Sequence, residues 1–277
     1  MSAVDRIGPV EIAWGSSPLV LSQPHAGTWL PPEIAAALNE TGRALADTDW
    51  WIDRLYAPLA ERFAATTVRT PVSRYAIDVN RDPAGLSLYP GRATTGLVPV
   101  ETFDGAPIWR PGLEPDPIEI DRRRERFFEP YHAALAAAIA RNRIRHGFCL
   151  LWDCHSIRSV IPRLFEGRLP TFNLGTFEGR ACSPALRAAA ERVLAASGGR
   201  FVIDGRFKGG WITRHWGRPH EQVEAVQMEL AQEAYMDEAA PWTFREEKAE
   251  RVRALFASLI ETLLQEAGRL HAPGTAR

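Results

Sequence analysis

Hydrophobic positions along the chain fall into two rhythms. Short apolar runs bounded by turn residues predict strands over 10–14, 19–21, 66–69, 76–79, 148–152, 201–203 and 223–230. The run 148–152 has no polar interruption, as expected of a central strand buried on both faces. Spacings of three and four predict helices in between. Ile52, Leu55, Tyr56, Leu59, Ala60 and Phe63 form one stripe, with Asp47 or Thr48 placed to cap it. Asp116-Pro117-Ile118-Glu119 opens a long helix that Pro130 should kink and Gly147 should end. Further helices are expected over 184–196 and after Thr243-Phe244-Arg245-Glu246, where Val252, Leu255, Phe256, Leu259 and Leu263 share a face. Residues 83–115 and 205–218 show no clear period. The first, rich in Gly, Pro and Thr, has the length of a lid or binding loop.

Strands alternating with helices give an α/β fold with a largely buried sheet covered by helices. The 277 residues hold no repeat and no low-complexity linker, so one domain over 1–277 is expected. In such sheets ligands gather at the carboxyl ends of strands. That is where His25, Asn80-Arg81, Asp153-Cys154-His155 and Glu229 fall.

Composition narrows the function. Lys and Arg number 33 against 34 Asp and Glu, a net charge of −1, without the basic surplus of a nucleic-acid binder. No apolar run approaches the roughly 18–20 residues that cross a bilayer, and the opening MSAVDRIGPV lacks the basic-then-apolar pattern of an export signal. Three cysteines, Cys149, Cys154 and Cys182, build no disulfide framework. A cytoplasmic protein with no membrane or nucleic-acid partner is expected. Only Lys208 and Lys248 are lysines, so each arginine must be argued from its neighbours.

Two imidazoles at strand ends, His25 and His155, with one carboxylate match the ligand set of a catalytic zinc site that keeps a position open for water. Structural histidines are the competing reading. Asp47, Asp49 and Asp53 crowd the start of one helix, where acids also complement the helix dipole, so the residues alone leave the acidic ligand open. Glu229 sits among apolar neighbours; burial raises a carboxyl pKa and suits a general base that later returns its proton. Arg74, Asn80, Arg81, Arg158 and Arg214 lie near the same strand ends, and guanidinium forks fit carboxylates. Together they point to a small acidic substrate. Cys154 and His155 point to opposite faces of an extended chain, which argues against a cysteine nucleophile. Ser156 has no nucleophile elbow around it, and residues 205–210 lack the spacing of a phosphate loop.

The motifs together resemble the N-formylglutamate amidohydrolase family. The matching stretches are Ser22-Gln23-Pro24-His25-Ala26-Gly27-Thr28, Asp47-Thr48-Asp49-Trp50 through Asp53-Arg54-Leu55-Tyr56, and Ser73-Arg74-Tyr75-Ala76-Ile77-Asp78-Val79-Asn80-Arg81-Asp82-Pro83. Ser87-Leu88-Tyr89-Pro90-Gly91, Thr95-Gly96-Leu97-Val98-Pro99 and Asp153-Cys154-His155-Ser156-Ile157-Arg158-Ser159 follow. Arg206-Phe207-Lys208-Gly209-Gly210 and Gln227-Met228-Glu229-Leu230-Ala231-Gln232 complete the series, in order over roughly residues 17 to 236.

The resemblance implies a mixed central sheet flanked by helices, related to zinc carboxypeptidases (phosphorylase/hydrolase-like). It implies a metal-dependent hydrolase that cleaves N-formyl-L-glutamate to glutamate and formate in histidine degradation, with one divalent metal, Zn2+ foremost. By similarity His25, Asp49 and His155 would hold the metal. The carboxypeptidases place a Glu three residues after the first His, where this chain has Thr28, so the acid comes from elsewhere. Glu229 would be the catalytic glutamate, Arg158 an oxyanion partner, and Asn80-Arg81 the pair that grips a substrate carboxylate. Arg74 and Arg214 are nominated for the second carboxylate. The rivals are a metal-dependent deacylase of another N-acyl acidic amino acid and a non-catalytic binder of an acidic metabolite.

Overall fold

The structure is a computed structural model that describes residues 4–88, 91 and 93–272, with side chains from Gly8 onward. Tyr89 and Pro90 of the fourth motif lie outside the described residues. Eight strands form one mixed sheet: β1 (Val4–Ile7), β2 (Val10–Ala13), β3 (Leu19–Gln23), β4 (Thr66–Arg69), β5 (Cys149–Ile157), β6 (Phe172–Gly175), β7 (Phe201–Ile203) and β8 (Val223–Ala231). Their order is β1-β2-β4-β3-β5-β8-β6-β7. The central strands β4, β3, β5 and β8 run parallel, and β2 and β6 pair antiparallel to β4 and β8. The helices are α1 (Pro32–Ala37), α2 (Glu40–Arg43), α3 (Ile52–Arg62), α4 (Pro117–Arg123), α5 (Glu129–His146), α6 (Pro184–Ala196), α7 (Trp211–Trp216) and α8 (Glu246–Leu270).

All nine residues of β5 and of β8 are buried, because each strand is covered on both faces. Alternation divides them between two cores. Leu150, Trp152, Cys154, Val226, Met228 and Leu230 pack against the layer that contains Phe256 and Leu186. Cys149, Leu151, Val223 and Ala225 face Tyr131 and Leu135 of α5. The buried indole of Trp152 donates to the Tyr56 hydroxyl at 2.9 Å, so neither polar atom is stranded. Asp153, His155, Gln227 and Glu229 continue the second face beyond the end of its apolar stretch. Register sets His155 opposite Glu229.

Several expectations need correction. Residues 76–79 form turns and no strand, because Asp78 takes the Asn80 N–H on its own carboxylate, a local bond that closes a turn. β5 does not empty after Trp152 but carries Asp153 and His155 within it. Neither Asp47 nor Thr48 caps α3, whose N-cap is Trp51 in the left-handed region at φ 63. Thr243 does not cap α8 either; its N-cap is Arg245, without a side-chain bond. Asp116 does cap α4, and Gly147 at φ 80 ends α5. Between these helices Pro130 is accommodated by a π-helical turn over Arg124–Phe128. The irregular stretch 205–218 contains α7.

Candidate active site

β3 ends at Gln23 and delivers His25 two residues later. The turn is tight: a Cβ on Gly27 would lie 2.4 Å from the Pro71 main chain, so only glycine lets the two segments touch. Asp49 is pinned beside His25 by its own N–H, which donates to the His25 carbonyl at 3.1 Å. His25 and His155 face each other with ring centroids 4.9 Å apart.

Each imidazole is oriented by a buried carboxylate. His25 Nε2 donates to Asp78 Oδ1 at 2.7 Å, and His155 Nε2 lies 3.0 Å from Asp153 Oδ2. A carboxylate only accepts, so each Nε2 carries a proton, and each Nδ1 is left to face Asp49. Both Nδ1 atoms turn toward Asp49 Oδ2, at 3.7 Å from His25 and 3.2 Å from His155. One ligand atom from each of His25, Asp49 and His155 falls within 4.8 Å of the others. Among the described residues His25 Nδ1 and Asp49 Oδ1 are buried without a hydrogen-bond partner. Arg74 Nη1 lies 3.5 Å from Asp49 Oδ1; leaving buried polar atoms without a hydrogen bond costs about 1–3 kcal/mol each, a cost that a divalent cation would remove. Two imidazoles and a carboxylate, each imidazole backed by an acid, are a donor set that fits a metal ion.

Electrostatics hold these groups in their working states. Burial opposes ionisation of Asp78, but the charges of Arg81, His25 and Arg74 outweigh it and keep the carboxyl well below its usual range. Arg74 Nη2 pairs with Asp78 Oδ2 at 2.6 Å. Burial likewise opposes charge on Asp49, and hydrogen bonds from His155 and His25 bring its pKa down. Burial disfavours His155 imidazolium, yet Asp153 and Asp49 push its pKa well above 6.5. Glu229 differs: burial dominates and pushes its carboxyl up to about 7, with the His155 charge acting against the rise. Gln227 Nε2 donates to Glu229 Oε2 at 2.9 Å and fixes that oxygen.

His25, His155 and Glu229 line one small cavity of about 60 Å³. Arg74, Arg81 and Arg206 also line it, with Phe103, Ile157, Leu164 and Phe207 as apolar walls. Arg81 is held by the Thr95 carbonyl at 3.0 Å, the Thr95 hydroxyl and the Asn80 carbonyl. Asn80 lines the cavity, but its carboxamide oxygen accepts from Ile212 N and its nitrogen lies against His155 Nε2 at 3.0 Å. A Cβ on Gly210 would meet that carboxamide at 2.4 Å, which explains the glycine.

Two nominated arginines do not line the cavity. Arg158 pairs with Asp104 at 2.6 Å and lies 3.8 Å from Asp47. Arg214 donates to the carbonyls of Gly209 and Leu88. The rival acids also separate. Asp47 accepts from the Tyr75 hydroxyl and from Phe103 N, and Asp53 pairs with Arg69 on the surface, leaving Asp49 with the histidines. Sequence reasoning placed Asp153 at a strand end without giving it a role, and gave none to Asp78, Gln227 or Arg206. Asp78 and Asp153 had a signal, since each is an acid inside an apolar run, where burial is costly without a purpose.

Comparison with known proteins gives the chain's family. The N-formylglutamate amidohydrolase family model matches residues 17–236. N-formylglutamate deformylase of Pseudomonas aeruginosa is 50% identical over 251 residues, covering 90% of this chain and 94% of that protein. The deformylase of Pseudomonas putida is 46% identical over 251 residues, with coverage of 90% and 93%. A solved N-formylglutamate amidohydrolase from Ralstonia eutropha JMP134 superimposes with a TM-score of 0.76 at 28% identity, over 92% of this chain and 97% of that one. Fold, cavity and relatives define an amidohydrolase. The chain belongs to the N-formylglutamate amidohydrolase family. No helix among the described residues is long and apolar enough to cross a membrane.

Proposed function

We propose that this chain hydrolyses N-formyl-L-glutamate to L-glutamate and formate with one divalent metal, Zn2+ foremost, at His25 Nδ1, Asp49 and His155 Nδ1. The observation that carries the reading is Glu229, a buried carboxylate lining the same cavity as both histidines and Arg81. The names of the two Pseudomonas relatives support the substrate. Nitrogen and oxygen donors in this set suit zinc, and the reaction's place in histidine degradation and the single domain over 1–277 belong to the same proposal.

A divalent ion at these ligands supplies a Lewis acid that acidifies water and polarises a carbonyl. Glu229 takes a proton from the attacking water as its oxygen adds to the formyl carbon. It then hands that proton to the amine nitrogen as the C–N bond breaks, releasing formate. Gln227 keeps the Glu229 carboxylate aimed. Arg81, clamped by Thr95 and Asn80, receives a substrate carboxylate. Arg74 keeps Asp78 and Asp49 ionised from inside the cavity. Arg158 acts at one remove, through Asp104 and Asp47, on the Phe103 wall.

Arg81→Ala should raise KM about 10–100-fold with a smaller change in kcat, because it removes a contact made alike in ground and transition states. Steady-state kinetics with N-formylglutamate check this; an unchanged KM would remove Arg81 from binding. The reading as a whole is tested by formate release from N-formyl-Glu, N-formyl-Asp, N-formyl-Gln and N-acetyl-Glu, before and after chelation. N-formyl-Glu should be best, activity should vanish on metal removal, and added Zn2+ should restore it. A better substrate among the other three would overturn the named reaction; indifference to chelation would overturn the metal.

A further inference from the structure

Asp49 sits in an irregular turn between α2 and α3, with Leu45 at φ 52 and Trp51 at φ 63 on either side of it. Residues with a Cβ avoid that left-handed region, so local preference does not hold the turn in shape. The bonds that hold it come from distant parts of the chain. Ser156 N, in β5, donates to Asp49 Oδ2 at 3.1 Å, and the Asp49 N–H is taken by the His25 carbonyl. The carbonyls of the residues on either side of Asp49 are each taken by one side chain from the turn that follows β8. Gln232 Nε2 donates to the Thr48 carbonyl at 3.0 Å, and the Tyr235 hydroxyl donates to the Trp50 carbonyl at 2.7 Å.

Ser156 joins the two. Its Oγ lies 3.4 Å from Gln232 Nε2 and 2.7 Å from the Tyr235 hydroxyl. A carbonyl only accepts and a phenol has one proton, so Tyr235 gives its proton to Trp50 and Ser156 donates to Tyr235. All three side chains belong to buried residues, and neither Gln232 nor Tyr235 is among the residues that line the cavity. The Gln232 amide has one workable setting. Turning it over would set its oxygen against the Thr48 carbonyl, so Oε1 stays buried without a hydrogen-bond partner among the described residues. A buried oxygen left bare so that a neighbouring carbonyl is held points to the turn it holds, not to stability. Ser156 also follows His155 directly in β5, so one strand end orients both the imidazole and the carboxylate.

We infer that Gln232 and Tyr235, joined through Ser156, are positioning residues that hold the Asp49 carboxylate where His25 and His155 can share a divalent cation with it. Without them the turn has to be ordered when the ion binds, and that ordering is subtracted from affinity. The inference rests on the proposed metal site and is independent of the named substrate.

Tyr235→Phe tests it, because it deletes one hydroxyl and keeps the ring. Zn2+ binding to the stripped, folded protein is read by competition with a chelator of known affinity, and the dissociation constant should rise about 10–100-fold. Tyr56→Phe is the control. It deletes another buried hydroxyl, the one that takes the Trp152 indole, and leaves the bonds to Thr48 and Trp50 in place. It should lower thermal stability while Zn2+ affinity stays within about twofold of wild type. The visible absorption of Co2+ bound in place of Zn2+ reports ligand geometry, and it should change in Tyr235→Phe and not in Tyr56→Phe. Unchanged Zn2+ affinity in Tyr235→Phe, an equal loss in Tyr56→Phe, or one Co2+ spectrum shared by all three proteins would leave the Tyr235 hydroxyl a part of the core and overturn the inference. Gln232→Met removes the other donor at similar volume and serves if Tyr235→Phe does not fold; it should weaken Zn2+ over the same range, and unchanged affinity refutes the assignment. Wild type that takes up no Zn2+, or that binds it no better than Asp49→Ala, would refute the metal site and this inference with it. Tight Zn2+ binding that needs Asp49 but is matched by Tyr235→Phe and Gln232→Met would refute the inference alone.

Discussion

Glu229→Gln should lower kcat on N-formylglutamate by about 10²–10⁴-fold while metal content stays at the wild-type level. Gln has the shape of Glu but cannot take a proton, and position 229 is not among the three grouped ligands. The fold should hold or gain stability, because a buried carboxyl pushed up to about 7 is costly to keep ionised and its amide is not. The same pKa sets the sign of the pH dependence. The base works as carboxylate, so activity is lost as pH falls through its pKa. Burial moves that limb up from the ordinary 4.5 toward about 7, and a cation at the ligands draws it down, so its midpoint should lie between the two. Rate profiles of wild type and variant, with metal analysis, check both statements. Near-normal turnover in the variant would take Glu229 out of the mechanism.

His155→Ala should lose metal and activity together. The loss of affinity should exceed the ~10–100-fold seen when a residue that only orients a ligand is removed. The deleted imidazole is one of three ligand groups, and its removal also takes from Asp153 the Nε2 that lies 3.0 Å away, leaving that carboxylate to Ser22 and Asn80. Because Asp153 and Asp49 favour the protonated ring, metal uptake must displace a proton, and affinity should climb with pH. Metal titration of the stripped protein at several pH values measures this. A variant that still holds stoichiometric metal would show that the ion sits elsewhere.

The sheet and its covering helices were readable because they obey simple periods. The unbroken run before His155 marked β5, and the three-and-four stripe at Ile52–Arg62 marked α3. The residues of the site were readable only as a set of types at strand ends. What joins them is distance in space: His25 meets Asp78 across 53 positions and His155 meets Asp49 across 106. No local pattern encodes such a meeting. Asp47 and Thr48 read as helix caps because a cap is the commonest use of those side chains before an apolar stripe. The Phe103 N–H and the Tyr75 hydroxyl claimed Asp47 instead. Arg158 and Arg214 were nominated by nearness in sequence, while Arg206 was passed over, since nothing in its neighbours tells which way a turn after β7 will aim it.

The division of the cavity between sheet and connections has a consequence for how such a protein diverges. His155 and Glu229 ride on hydrogen-bonded strands, where inserting or deleting one residue would swap them with Cys154 and Met228 and turn the chemistry into the oily interior. Arg81, Arg206 and Leu164 ride on connecting segments that tolerate exchange. New substrate preferences can therefore be grafted by rewriting loops, with the bond-breaking apparatus inherited untouched.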